Sequence, residues 1–60
     1  MAEKIREYRE RRGMTQKELA EALGVDQSAV SNWERGISEP TAFNIRRISD
    51  ILGVTPGDLF

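Results

Sequence analysis

The chain contains no cysteine and no histidine. The first absence excludes disulfide staples, and together they exclude the usual zinc ligand sets, so helix or strand packing alone must hold the fold. They also remove the usual partners of nucleophilic catalysis, which needs an activated serine or cysteine beside a base. Only carboxylates and lysines remain, and pairs such as Glu7 with Glu10 or Glu18 with Glu21 sit at the spacing of a solvated helix face. No enzymatic activity, metal or cofactor is therefore expected. Long apolar runs are missing too. Nothing approaches the ~20 residues that span a bilayer, and the N-terminus, carrying Glu3, Lys4 and Arg6, has no signal-peptide core. A protein of the cytoplasm, with no membrane partner and no small-molecule ligand, is the expectation.

Basic excess is also lacking. Nine basic and ten acidic residues give a net charge of -1, whereas a typical duplex-DNA binder is clearly basic. The distribution matters more than the total. Met1 to Arg12 holds five basic residues against three acidic ones, while Gly13 to Gly36 holds Lys17 and Arg35 against Glu18, Glu21, Asp26 and Glu34. At 60 residues the chain is one domain, residues 1–60, and a domain of that size buries only about 60% of its unfolded surface.

What is present centres on Thr15 to Gly36. Thr15 with Glu18 three residues on forms a capping box, Met14 can staple onto Leu19, and Gly24 follows Leu23 where a helix commonly ends in a left-handed conformation. Asp26 is then a second cap and Val25 can staple onto Val30. Two short helices, Thr15 to Leu23 and Asp26 to Arg35, thus meet across a tight turn, the pattern of a helix-turn-helix. Val30 and Trp33 give the second helix an apolar edge, with Ala20 allowing close approach. Its other edge, Gln27, Ser28, Ser31 and Asn32, is polar but uncharged, which suits hydrogen bonding to a partner rich in donors and acceptors.

The flanks are also helical. Met1 to Arg12 places Ile5 and Tyr8 on one side, with weak surface pairs such as Glu7 with Arg11, and ends at Gly13. Gly36 and Pro40 make Ile37 to Thr41 a loop. Thr41 caps a helix over Ala42 to Leu52, with Ile45, Ile48 and Leu52 inward, Ile51 flanking, and Arg46 and Arg47 solvated. Thr55-Pro56-Gly57-Asp58 opens a last short helix, after which Leu59 and Phe60 are expected to close the core. The chain shows no linker, repeat or low-complexity segment and no sensing or dimerising domain.

The central run resembles the helix-turn-helix of the phage-repressor family, the Cro-like or Xre-type DNA-binding domains, through Gln16, Ala20, Gly24, Val30 and the closing Glu34-Arg35-Gly36. The resemblance extends from about Ile5 to Phe60. It implies a compact five-helix, all-α, lambda-repressor-like domain that places its second motif helix in the major groove of double-stranded DNA and regulates transcription by occupancy. It also implies a partly buried ion pair between Arg9 and Glu34.

The chemistry of the groove agrees with this placement. Glutamine and asparagine pair bidentately with adenine and serine serves several bases, so Gln27, Ser28 and Asn32 are the candidates for base readout, and Ala29 can add contact with a thymine methyl. Phosphate contacts are expected from helix starts and the flanking loop: Thr15, Gln16 and Lys17 at the first motif helix, Ser31, Arg35 and Ser38 at and beyond the second, and Thr41 and Asn44 at the fourth. A monomer in isolation is expected, binding one half-site or pairing on DNA. The rival reading is a protein-interaction module, such as an antitoxin-like partner, which the acidic balance favours. A natural stand-alone regulator, an excised domain and an engineered one are open alternatives, as are the target sequence and the choice between activation and repression.

Overall fold

The computed structural model describes all 60 residues. Four α-helices carry the fold: α1 (Ala2–Arg11), α2 (Gln16–Leu23), α3 (Gln27–Glu34) and α4 (Ala42–Leu52). The expected fifth helix is a single 3-10 turn, Pro56–Leu59, because a run of four residues that includes a glycine is too short to propagate an α-helix. That turn still starts as the sequence predicts, with Thr55 and Asp58 exchanging capping-box hydrogen bonds.

Each boundary has a local cause. Thr15 accepts from the Glu18 N–H at 3.0 Å and its own N–H donates to the Glu18 carboxylate at 2.8 Å, closing the capping box that starts α2. α2 stops at Gly24, whose φ of 73° lies in the left-handed region open to glycine. Thr41 caps α4 by accepting from the Asn44 N–H at 3.1 Å. Asp26 departs from expectation. It holds the cap position of α3 in extended conformation, yet its side chain accepts no hydrogen bond; the Ala29 N–H goes instead to the Asp26 backbone carbonyl at 3.0 Å, a tight first turn that leaves the carboxylate in water.

The core gathers one or more residues from every element: Ile5 of α1, Leu19, Ala20 and Leu23 of α2, Val30 and Trp33 of α3, Ile48 and Leu52 of α4, and Leu59. Ala20, 2% exposed, is the small contact that lets α3 lie close against α2. Ile45 and Ile51 are half-buried at the rim, while Ser49 is fully buried and donates its hydroxyl to the Arg46 carbonyl at 2.7 Å. Phe60 does not close the underside. It is 72% exposed, since Leu59 fills that space and the next residue of a 3-10 turn points elsewhere.

Arg47 also departs from the solvated reading. Its guanidinium donates to the Leu23 carbonyl at 2.6 Å and to the Ala22 carbonyl at 3.2 Å, and its flat face covers the Phe43 ring, 5.6 Å from the centroid. The last carbonyls of α2 lack helical partners and carry the negative end of the dipole, so a cation from α4 fixes the outgoing edge of α2. Arg47→Ala is expected to cost about 1 kcal/mol in urea melts, while Arg46→Ala, at an exposed position, stays within about 0.5 kcal/mol. Equal effects would show that the contact contributes nothing.

Candidate nucleic-acid interface

Each residue of an α-helix advances about 100° around its axis. On α3 this puts Gln27, Ser31, Arg35, Ser28 and Asn32, in that angular order, on one continuous arc about 140° wide. Val30 and Trp33 are buried on the opposite side, while Glu34, next to Gln27 at the edge of the arc, is buried against Arg9 of α1. Gln27, Ser28 and Arg35 are exposed, and Ser31 and Asn32 are half-exposed. None of these five side chains bonds within the protein. Ala29 sits just beyond Asn32, half-buried with its methyl packed against the core, so it offers only the edge of that methyl to a ligand.

A buried network fixes this helix relative to the rest. The Arg9 guanidinium forks onto the Glu34 carboxylate, Nε to Oε2 at 2.6 Å and Nη2 to Oε1 at 2.9 Å, and sends Nη1 to the Met14 carbonyl at 2.7 Å. Arg9 is 8% exposed and Glu34 6%. Glu34 Oε1 also accepts from Gln16 Nε2 at 3.0 Å and lies 3.4 Å from Arg6 Nε. One carboxylate thus ties the middle of α1, the loop before α2, the start of α2 and the end of α3 together. Burial pushes the Glu34 carboxyl up, but the hydrogen bonds from Arg9, Gln16 and Arg6 and the Arg9 charge outweigh it and hold the group below the ordinary carboxylate value. The Arg9 guanidinium is raised in turn, chiefly by its bond to Glu34.

The start of α2 has donors to spare. The Thr15 and Glu18 N–H groups are used in the capping box, but those of Gln16 and Lys17 have no partner. Gln16 donates one amide hydrogen to Glu34 and keeps a second. The Glu18 carboxylate occupies part of this end through its bond with the Thr15 N–H, so the free backbone donors are those of Gln16 and Lys17. Ser38 lies beside Asn32, its N–H reaching the Asn32 carbonyl at 3.5 Å. Thr41 and Asn44 pair with each other at the head of α4, and no hydrogen bond joins them to α2 or α3. Sequence reasoning missed Arg6 and Arg47. Arg6 precedes Arg9 by one helical turn, on the same face and within reach of the same carboxylate, which is the signal that would have found it.

Two short helices joined through a left-handed glycine, with a bare polar arc on the second, define a helix-turn-helix domain. The family model described as "Helix-turn-helix" matches residues 5–59, and the chain belongs to that family, in its phage-repressor-like, Xre-type branch. It is 43% identical over 56 residues to the HTH-type transcriptional regulator DicA of Escherichia coli (strain K12), matching 93% of this chain and 42% of that protein. It is 36% identical over 56 residues to the HTH-type transcriptional regulator YazB of Bacillus subtilis (strain 168), covering 93% of this chain and 81% of that one. Among solved structures, the restriction-modification controller protein C.AhdI of Aeromonas hydrophila superposes with a TM-score of 0.90 at 34% identity, over 98% of this chain and 89% of that one. The chain thus spans less than half of DicA and most of YazB.

Proposed function

We propose that this domain binds double-stranded DNA sequence-specifically, with α3 in the major groove, and that it regulates transcription by occupying its site. The observation that carries the reading is the arc on α3: five polar side chains, none bonded within the protein, on a helix whose orientation a buried ion pair fixes. Gln27, Ser28 and Asn32 read base edges, with Ala29 alongside them. Thr15, Gln16, Lys17, Ser31, Arg35 and Ser38 meet flanking phosphates, and Thr41 and Asn44 reach a more distant one. Family membership and a residue set without histidine or cysteine support a binding role rather than a catalytic one. No helix is long and apolar enough to cross a membrane, which is in keeping with action in the cytoplasm.

Domain size bears on valency. The principal extents are 23 × 22 × 19 Å, shorter than the roughly 34 to 36 Å of one DNA turn. One domain therefore covers one half-site, as a monomer or beside a second copy on DNA. With net charge -1, attraction comes from local donors, and neutralising about 3 to 5 phosphates would give a log-log salt slope of about -3 to -4.5 per domain. Selection from a random duplex pool followed by titration at several salt concentrations checks slope and stoichiometry together. A domain that leaves duplex mobility unchanged at low salt would instead be a protein-interaction scaffold of the antitoxin-like kind.

A further inference from the structure

Arg6 and Arg9 share one carboxylate, and the sharing is unequal. Arg9 takes both Glu34 oxygens through its fork and is itself 8% exposed. Arg6 touches the same group only through Nε, at 3.4 Å, its side chain is 52% exposed, and both of its Nη groups are without a partner in the protein. Two guanidinium charges against one carboxylate leave a unit positive charge here. The other acids of α1 do not pair with Arg6: Glu7 pairs with Lys4 and Arg11, neither Glu3 nor Glu10 forms an ion pair, and the Glu10 charge acts on Arg9.

The position of that charge matters as much as its sign. Gln16 Nε2 bonds the same Glu34 Oε1, at 3.0 Å, so Arg6 Nε and Gln16 Nε2 flank a single oxygen atom. Gln16 itself and the next residue, Lys17, carry the unpartnered N–H groups of the first turn of α2. The site therefore collects a guanidinium edge, one amide hydrogen and two backbone donors, and the one buried acceptor among them is already occupied by Arg9. Resting on the DNA-binding reading, we propose that Arg6 is a phosphate-contact residue, clamping with Gln16 one phosphodiester of duplex DNA at the start of α2, with Glu34 positioning both side chains. Glu34 gives Arg6 and Gln16 a common anchor and cancels Arg9 instead of Arg6, which is how a chain without basic excess keeps a positive point on its docking side. A guanidinium suits the task because its Nη edge stays available for a phosphate when Nε is engaged elsewhere.

The test is titration of a labelled random-sequence duplex with the parent, Arg6→Gln and Arg11→Gln at several salt concentrations, each confirmed folded by thermal melting. Arg11 is 67% exposed on the same helix and pairs with Glu7, so its variant removes the same formal charge away from Gln16. Arg6→Gln is expected to lose about 0.9 of the log-log slope, the contribution of one phosphate, and to weaken binding several-fold at low salt. Arg11→Gln should leave the slope unchanged, and Arg6→Lys, which keeps the charge, should restore most of it. Equal slopes for the parent and Arg6→Gln would overturn the assignment, as would equal losses in Arg6→Gln and Arg11→Gln. A parent that does not bind duplex DNA would overturn the DNA reading and this assignment with it.

Discussion

Arg9→Ala and Glu34→Ala are each expected to cost about 3 to 5 kcal/mol, because each strands a buried charge whose partner has gone. The two side chains are 10% and 0% exposed and meet through two short bonds, so water cannot replace the missing partner. Both losses extend beyond the pair. Without Arg9 the Met14 carbonyl loses its donor, and without Glu34 both Gln16 and Arg6 lose their anchor. Domains generally hold only about 5 to 15 kcal/mol, and small ones sit at the low end, so either single variant should keep only about 0 to 2 kcal/mol at room temperature. Urea melts of both single variants and the double variant check this. The double should cost far less than the sum of the singles, since removing both charges leaves nothing stranded. Small, additive losses would reduce the pair to a surface contact worth under about 1 kcal/mol.

The same pair sets a direction for pH. The Glu34 carboxyl is held below its unfolded value, so the folded state keeps it ionised where the unfolded chain has begun to bind a proton. Its stabilisation is therefore complete above the unfolded glutamate value of about 4.3 and is lost as pH falls below that and through the lower folded value. Glu34→Gln cannot ionise, so the stability gap between the parent and this variant should narrow steadily as the pH drops through that range. A constant gap would mean that Glu34 does not stabilise the domain through its charge.

The helices were legible because their ends announce themselves. Thr15 with Glu18, Thr41, Thr55 with Asp58, and Gly24 are local signals, and every one of them operates in the fold. The polar arc of α3 was legible for a similar reason, as a break in hydrophobic periodicity. What failed depends on distance. Whether Arg47 is solvated depends on the end of α2, 24 residues earlier, and whether Arg6 is one more surface cation depends on Glu34, 28 residues later. A helical wheel shows which way a side chain points but not what stands opposite it. Asp26 and Phe60 failed differently: a good cap residue need not close its bond when the first turn tightens, and a terminal aromatic need not find room once its neighbour has filled it.

Gln27→Ala is expected to remove about 1 to 3 kcal/mol of binding from the preferred site and almost nothing from scrambled DNA. Gln27 is exposed at the first turn of α3, its side chain is long enough to reach a base edge, and its amide offers a donor and an acceptor together, the pair that adenine presents in the major groove. It makes no bond in the free protein, so DNA breaks nothing to engage it. Stability should hardly change, because nothing packs on it, and melting before titration confirms that the comparison is between folded domains. Scrambled DNA should bind as before, since that affinity comes from phosphates and their released counterions. Preference should relax at one or two adjacent base pairs while the salt slope stays constant, which separates Gln27 from Arg6, whose loss lowers the slope on every sequence alike. If both affinities fall together, Gln27 positions the helix rather than reading bases; if neither falls, α3 does not enter the groove by its first turn.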